Sequence, residues 1–209
     1  MQPGKIVCVG RNYAEHAREL GHALPEQPLL FMKPGSAVAD LTQAVAIPLD
    51  CGACHHETEI CVRLSQALCR ASPAQARQAI DGVGLGLDLT LRDLQAQLKA
   101  AGHPWERAKA FDGAAVLGPF WAPEQLPALD ELEFFLDVDG QRRQTGHSRD
   151  MLWGIVDLLS HISHVFRLQP GDVVMSGTPA GVAPLAVGQR LRLGLAGHEL
   201  HTEVVAGPC

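Results

Sequence analysis

The chain has 209 residues, 46% of them hydrophobic and 19% charged, with a formal net charge of −6 at pH 7. That length buries a substantial core without disulfides or a structural metal, and the negative charge argues against nucleic acid or an anionic membrane surface as a partner. No apolar run approaches the roughly 20 residues of a membrane span, and the segment ahead of Arg11 is too short for a signal peptide. A cytoplasmic location with six reduced cysteines is therefore expected.

In chain order, Lys5–Gly10 reads as a short buried strand. Arg11 and Asn12 then lead into a helical stretch, Tyr13–Leu20, ended by Gly21. On it His16 and Glu19 stand at i and i+3, so they share a face and can touch. A carboxylate against an imidazole fixes its tautomer and raises its basicity, which suits a general base; the plain alternative is an incidental surface pair. Leu29–Met32 reads as a second strand closed by Lys33-Pro34-Gly35. Lys33 is a candidate for a substrate carboxylate or else a solvated surface charge. Ser36–Ala53 is turn-rich, with a strand at Val45–Ile47 stopped by Pro48.

Cys51-Gly52-Ala53-Cys54-His55 matches a C-x-x-C-H pattern. A strand follows it where a redox motif would open a helix, and no second ligand pair for zinc is evident, so it reads as a loop with two thiols. The next residues, His55-His56-Glu57-Thr58-Glu59 and Ile60–Leu64, carry more chemistry. Strand alternation sends Glu57 and Glu59 to one face, roughly 6.5–7 Å apart along the chain. Holding both ionised requires a compensating cation. Asp88 ends the apolar run Val83–Leu87, whose alternate glycines mark close approach of a ligand or another backbone. Three carboxylates without thiol or imidazole suit a hard divalent ion such as Mg²⁺ or Mn²⁺. Solvated acids on an edge strand fit poorly beside the apolar face of Ile60, Val62 and Leu64. His55 and His56 are placed to hydrogen-bond the metal-binding acids, and for one of the two a loop histidine with no role is at least an equal expectation.

Further along, a helix is expected near Pro73–Ile80, and Thr90 is expected to cap another from Leu91 to Ala101. Arg92, Asp93 and Gln95 open that helix and are placed to point at the Asp88 site. Lys109 is a second candidate for a substrate carboxylate. Leu132–Val138 reads as a strand turning at Asp139-Gly140, and Ser148 as the cap of a long apolar helix through Phe166, with Leu152 on its apolar side. Asp172–Met175 is a strand. Gly177-Thr178-Pro179-Ala180-Gly181 is a small-residue loop able to offer N–H groups and the Thr178 hydroxyl to an anion, or merely to turn. Two last strands cover about 189–195 and 199–205. Strands outnumber helices without alternating with them, which predicts one α+β domain with a mixed or mostly antiparallel sheet.

Val9–Tyr13, Leu30–Pro34, His55–Glu59, Leu87–Asp93, Trp105–Phe111 and Gly171–Val182 together resemble the fumarylacetoacetate hydrolase superfamily. The resemblance is closest to its small single-domain acylpyruvate hydrolase and oxaloacetate decarboxylase members. It implies one catalytic domain over 1–209, an α+β fold with a mixed β-roll or sandwich core, peripheral helices and an N-terminal lid within about 1–30. It implies Mg²⁺ (or Mn²⁺) on Glu57, Glu59 and Asp88, and a catalytic His16–Glu19 pair on the lid helix, with Lys109 as a further catalytic group. Gln95 and Thr178 are implied around the substrate, with Arg11, Asn12, Lys33 and Gly177 as further binding candidates. The activity expected is carbon–carbon hydrolysis of a 2,4-dioxo acid to pyruvate and a carboxylic acid through a pyruvate enolate. Oxaloacetate decarboxylation and keto–enol tautomerisation share that enolate and stand as alternatives, with a non-catalytic relative behind them. A small-molecule 2-oxo acid and a homodimer are the partners implied. Ile60-Cys61 and Ser176 depart from the family pattern without touching the expected chemistry.

Overall fold

The computed structural model describes residues 2–19 and 23–207. The expected helix end at Leu20 and Gly21 lies outside them. The strands and helices run β1 (Lys5–Gly10), α1 (Ala14–Glu19), β2 (Leu29–Pro34), β3 (Val38–Asp40), β4 (Val45–Ile47), β5 (Cys54–His56) and β6 (Thr58–Leu64). There follow α2 (Pro73–Ala79), β7 (Ile80–Asp88), β8 (Thr90–Leu91), α3 (Arg92–Ala101), α4 (Glu106–Lys109) and β9 (Ala115–Trp121). The chain closes with β10 (Glu133–Val138), β11 (Gln141–His147), α5 (Ile155–Val165), β12 (Val173–Met175), β13 (Ala183–Pro184), β14 (Arg190–Leu195) and β15 (His198–Ala206). The fold is α+β, as the irregular strand–helix order predicts.

A seven-stranded mixed sheet runs β2-β1-β12-β6-β7-β9-β3, a five-stranded one β11-β10-β14-β15-β4, and a small third sheet β13-β5-β8. Strands of the first sheet are apolar on both faces, so they read as continuous runs. Val7, Val9, Ile60, Val62 and Leu85 face one way and meet Phe134, Leu136, Leu191 and Leu193 of the second sheet and Leu158, Leu159 and Ile162 of α5. Ile6, Cys8, Cys61, Val173 and Met175 face the other way beside partly buried Phe31 and Phe120. Because β1 and β12 are parallel while β6 runs antiparallel to β12 and β7, the ends of β1, β12 and β7 and the start of β6 lie at one edge. That edge holds the site.

Local sequence explains several element ends. Ser72 and Gln75 form a reciprocal capping box on α2, with Pro73 in the first turn. Gly102, at φ 68°, closes α3 in the left-handed region. Two expected caps are not made. The Thr90 hydroxyl donates to the Asp88 carbonyl (3.1 Å), and α3 starts from Leu91 without a side-chain cap. Ser148 accepts the Leu132 N–H (2.9 Å), and α5 starts only after Gly154. The intervening chain is held to Asn12, whose carbonyl and side chain accept the N–H groups of Leu152 and Trp153, so exposed Leu152 cannot join the helix. β9, which lies between β7 and the edge strand β3 in the large sheet, has no clear pattern because Gly118 and Pro119 interrupt it.

The alternate glycines of β7 mark backbone approach. A Cβ on Gly84 would collide with the Pro119 carbonyl oxygen, and one on Gly86 would lie 2.7 Å from the Cys61 sulfur and 2.8 Å from the Val116 oxygen. Substituting Gly84→Ala is expected to cost about 1–3 kcal/mol through overpacking. Thermal unfolding reads this as a Tm lower by about 2–12 °C.

Candidate active site

At the sheet edge three acids are drawn together. Glu59 is held by β6, Asp88 ends β7, and Glu57 sits in the bend between β5 and β6. They are 6%, 1% and 1% exposed for Glu57, Glu59 and Asp88, and each offers an oxygen within 4.8 Å of the others'. Burying carboxylates so close together costs several kcal/mol per ion unless cations and hydrogen bonds compensate. Lys109 Nζ, at the end of α4, donates to Glu57 Oε2 (2.8 Å) and Asp88 Oδ2 (2.7 Å). Lys33 Nζ stands 2.7 Å from Asp88 Oδ1, and Arg92, at the start of α3, donates to Glu57 Oε1. Glu59 receives only the Gly177 N–H (2.7 Å) and has no cationic side-chain partner among the described residues.

The ionisation of these groups follows from that pairing. Burial disfavours the Glu57 charge, but Lys109 and Arg92 outweigh it and hold the carboxyl below its ordinary range. Burial likewise opposes the Lys109 charge, and Asp88 and Glu57 overcome it to raise that ammonium above its usual value. Glu59 goes the other way: burial first, then repulsion from Asp88 and Glu57, push it well up. An all-oxygen cluster with one carboxylate lacking a cation is compatible with a hard divalent metal ion.

His16 is buried on α1, its Nδ1 3.4 Å from Glu19 Oε2. Burial lowers its pKa against the opposing pull of Glu57 and the Glu19 bond, so the imidazole is neutral at pH 7. Glu19 also accepts the Gly181 N–H (3.1 Å), which ties α1 to the loop after β12. Gly181 has φ +95°, and a side chain there would strike the Arg143 carbonyl.

One cleft of about 430 Å³, counting its open mouth, collects Arg11, His16, Glu57, Glu59, Gln95, Lys109 and Thr178. Arg92, Lys99, Phe31 and Trp105 line it as well. Gly177 reaches the site through its N–H on Glu59. Two expected binding residues do not face the cleft. Asn12 is wholly buried: its amide donates to the Trp153 and Ser176 carbonyls, and its oxygen accepts the Trp153 N–H. Lys33 has no exposure at all, and beyond Asp88 its ammonium donates to the carbonyls of Leu89, Lys109 and Ala114. It is a counter-ion inside the protein, since a position two residues past Phe31 on β2 projects from the same face, deeper in the fold. The two histidines also differ from expectation. His56 bonds Gln144 (3.0 Å) and not the acids, burial lowering its pKa to about 4, and His55 Nδ1 has no hydrogen-bond partner among the described residues. Asp93 turns away from the site toward the Ala53 N–H. Cys51 and Cys54 are free thiols, and burial pushes Cys54 up to about 12, which leaves it a poor nucleophile.

Gln144 is a residue that sequence reasoning missed. From β11 its oxygen accepts the Thr58 N–H (3.0 Å) and bonds His56, and its nitrogen donates to Thr178 Oγ1 (2.7 Å) and the Pro179 carbonyl (2.9 Å). The Thr178 hydroxyl in turn donates to the Thr58 carbonyl (2.9 Å). Nothing in an exposed Arg-rich hairpin signals this; the fold alone carries Gln144 to partners 86 residues away. Gln144→Leu leaves the buried Thr58 N–H and the Pro179 carbonyl unpaired, at an expected cost of about 3 kcal/mol. Thermal unfolding is expected to show Tm lower by about 6–12 °C.

Buried acids and a neutral histidine meet at one cleft, an arrangement of the kind that acid–base catalysis uses. The chain matches the family model described as fumarylacetoacetate (FAA) hydrolase C-terminal over residues 5–207. It is 47% identical to the oxaloacetate tautomerase of Escherichia coli (strain K12), over 96% of this chain and 92% of that protein. It is 40% identical to a mitochondrial oxaloacetate tautomerase of Arabidopsis thaliana, over 94% and 88% of the two chains. Among solved structures, a Yersinia pestis chain superposes with TM-score 0.96 at 43% identity, covering 97% and 94%. The fumarylpyruvate hydrolase of Pseudomonas aeruginosa, in complex with Mn²⁺ and pyruvate, gives 0.92 at 36% identity, covering 98% and 91%. This protein belongs to the fumarylacetoacetate hydrolase family.

Proposed function

We propose that the protein interconverts the keto and enol forms of oxaloacetate, with Mg²⁺ or Mn²⁺ held by Glu57, Glu59 and Asp88. The observation that carries this reading is the convergence of those acids, of which Glu57 and Glu59 line a cleft together with His16. The tautomerase relatives supply the substrate class. A divalent cation bound at the acids supplies a Lewis acid for charge developing on a 2-oxo oxygen. Neutral His16 accepts the C3 proton, and Glu19 holds the ring and stabilises its protonated form. The proton then passes to the 2-oxo oxygen: a C–H bond breaks, an O–H bond forms, and no oxidant is needed. Lys109, fixed as an ammonium by Glu57 and Asp88, adds positive charge to the same cleft, while Arg11, Gln95 and Thr178 hold the substrate.

Hydrolysis of an acylpyruvate, which the sequence put first, stands second. It is favoured by the His16–Glu19 pair, the kind of base that water attack needs, and by the fold shared with a fumarylpyruvate hydrolase. A cytoplasmic homodimer, with the α1 segment closing over substrate, accompanies this reading as a proposal from family resemblance.

Enol absorbance of oxaloacetate follows the reaction directly. Catalysis is expected to vanish in EDTA and return with Mg²⁺ or Mn²⁺; an unchanged rate in EDTA would remove the metal from the reading. His16→Gln is expected to lower kcat by about 10²–10⁴-fold. Burial lowers the His16 pKa from 6.5, so the base stays unprotonated to lower pH than a free histidine. Wild-type kcat/KM is expected to rise from the acid side through an apparent pKa below 6.5 and then level off. That acid limb is expected to be missing from His16→Gln.

A further inference from the structure

Four cations line the cleft, and only two of them are spent on its acids. Arg92 pairs with Glu57, and Lys109 with Glu57 and Asp88. Lys99 and Arg11 have no carboxylate partner among the described residues, yet both face the same space. Lys99 Nζ rests 4.8 Å from the centroid of the Trp105 ring, and Lys109 Nζ lies 5.0 Å from that of Phe31. The two rings are neighbours, centroids 6.1 Å apart and tilted by 58°. A two-ring wall thus seats one ammonium among the acids and a second on the other ring.

Helix α3 fixes the spacing. Arg92, Gln95 and Lys99 stand at i, i+3 and i+7, one helical face, and all three line the cleft. At 1.5 Å per residue the Lys99 backbone lies about 10 Å along the helix from that of Arg92, the residue that touches Glu57. Arg11 joins from the end of β1 with φ +61°, a left-handed backbone rare for a residue with a side chain and of the sort that gathers at ligand sites. Burial, then the charges of Arg92, Lys109 and Arg11, pull the Lys99 ammonium down to about 8. Lys99 is held among like charges, half out of water, with an aromatic face for support; Glu57 pulls the other way, but no carboxylate touches Lys99 among the described residues. The physical complement of such a group is a carboxylate brought by the ligand.

We propose that Lys99, seated on Trp105 and helped by Arg11, receives the second carboxylate of a dicarboxylic 2-oxo acid. The cleft thereby selects oxaloacetate-like ligands over 2-oxo acids whose far end is uncharged. This rests on the reading of the acids as the site that takes the 2-oxo acid end. Selection arises because a ligand lacking the far carboxylate leaves Lys99 uncompensated among cations.

Pyruvate is the discriminating probe, since it keeps the 2-oxo acid end of oxaloacetate and lacks the far carboxylate. Calorimetry with Mn²⁺ present would measure binding of each to the wild-type protein, Lys99→Met and Lys99→Arg, with thermal unfolding as a check that each variant is folded. Lys99→Met is expected to weaken oxaloacetate about tenfold or more while leaving pyruvate within twofold, and Lys99→Arg to restore most of the loss. The KM for oxaloacetate is expected to follow the same order. Equal weakening of both ligands, or unchanged oxaloacetate binding, overturns the assignment. So does a wild-type protein that binds oxaloacetate no tighter than pyruvate. A wild-type protein that prefers oxaloacetate through Lys99 but does not tautomerise it would instead overturn the proposed reaction alone.

Discussion

Three carboxylates crowded at the edge of a hydrophobic sheet repel one another, and the surrounding structure sets cations against two of them, Glu57 and Asp88. Lys33 comes from β2, Arg92 from the start of α3 and Lys109 from the end of α4, each an element with its own tertiary anchor. Without Lys109 and Arg92, burial would push the Glu57 carboxyl up instead of leaving it below its ordinary range. The compensation is incomplete by design of the chain: Glu59 has a backbone N–H and no cationic side chain. That residual demand is compatible with a divalent cation at the cluster, where a fully paired set of acids would be a plain buried ion-pair network.

The same edge is bound to the outer parts of the molecule by hydrogen bonds that each serve two places. Gln144 links the hairpin β10–β11 to the strand bearing Glu59 and to Thr178. Asn12 ties the end of β1 to the chain entering α5 and to the Ser176 carbonyl beside Gly177. Glu19 connects the imidazole of α1 to the Gly181 N–H. Imidazole, acids and small-residue loop are therefore positioned by three hydrogen-bonded groups that converge on residues 176–181, and loss of a buried member leaves its partners unpaired.

Much of this was legible in the chain. Many strand positions, the helix near Pro73, the turn at Asp139-Gly140 and the acids themselves announce themselves through alternation, turn chemistry and an unusual charge placement in apolar runs. Other features misled for physical reasons. Thr90 and Ser148 are good caps by type, but tertiary partners claim both hydroxyls. Lys33 and Lys99 are lysines whose surroundings no local pattern encodes, and the former proves to be wholly interior. Gln144 lies in a hairpin whose sequence looks solvated throughout.

The sequence by itself determined which side chains are available: three carboxylates in apolar runs, a histidine–carboxylate pair, and an α+β pattern to carry them. Tertiary structure decided which charges meet. Lys109 reaches Glu57 across 52 residues and Asp88 across 21, and Arg92 reaches Glu57 across 35. Alternation and helical period set the face a side chain occupies, but not the strand or helix that will lie against it. That choice follows from how the sheets close over a common core, and so the pairing of cations with acids becomes visible only once the chain is folded.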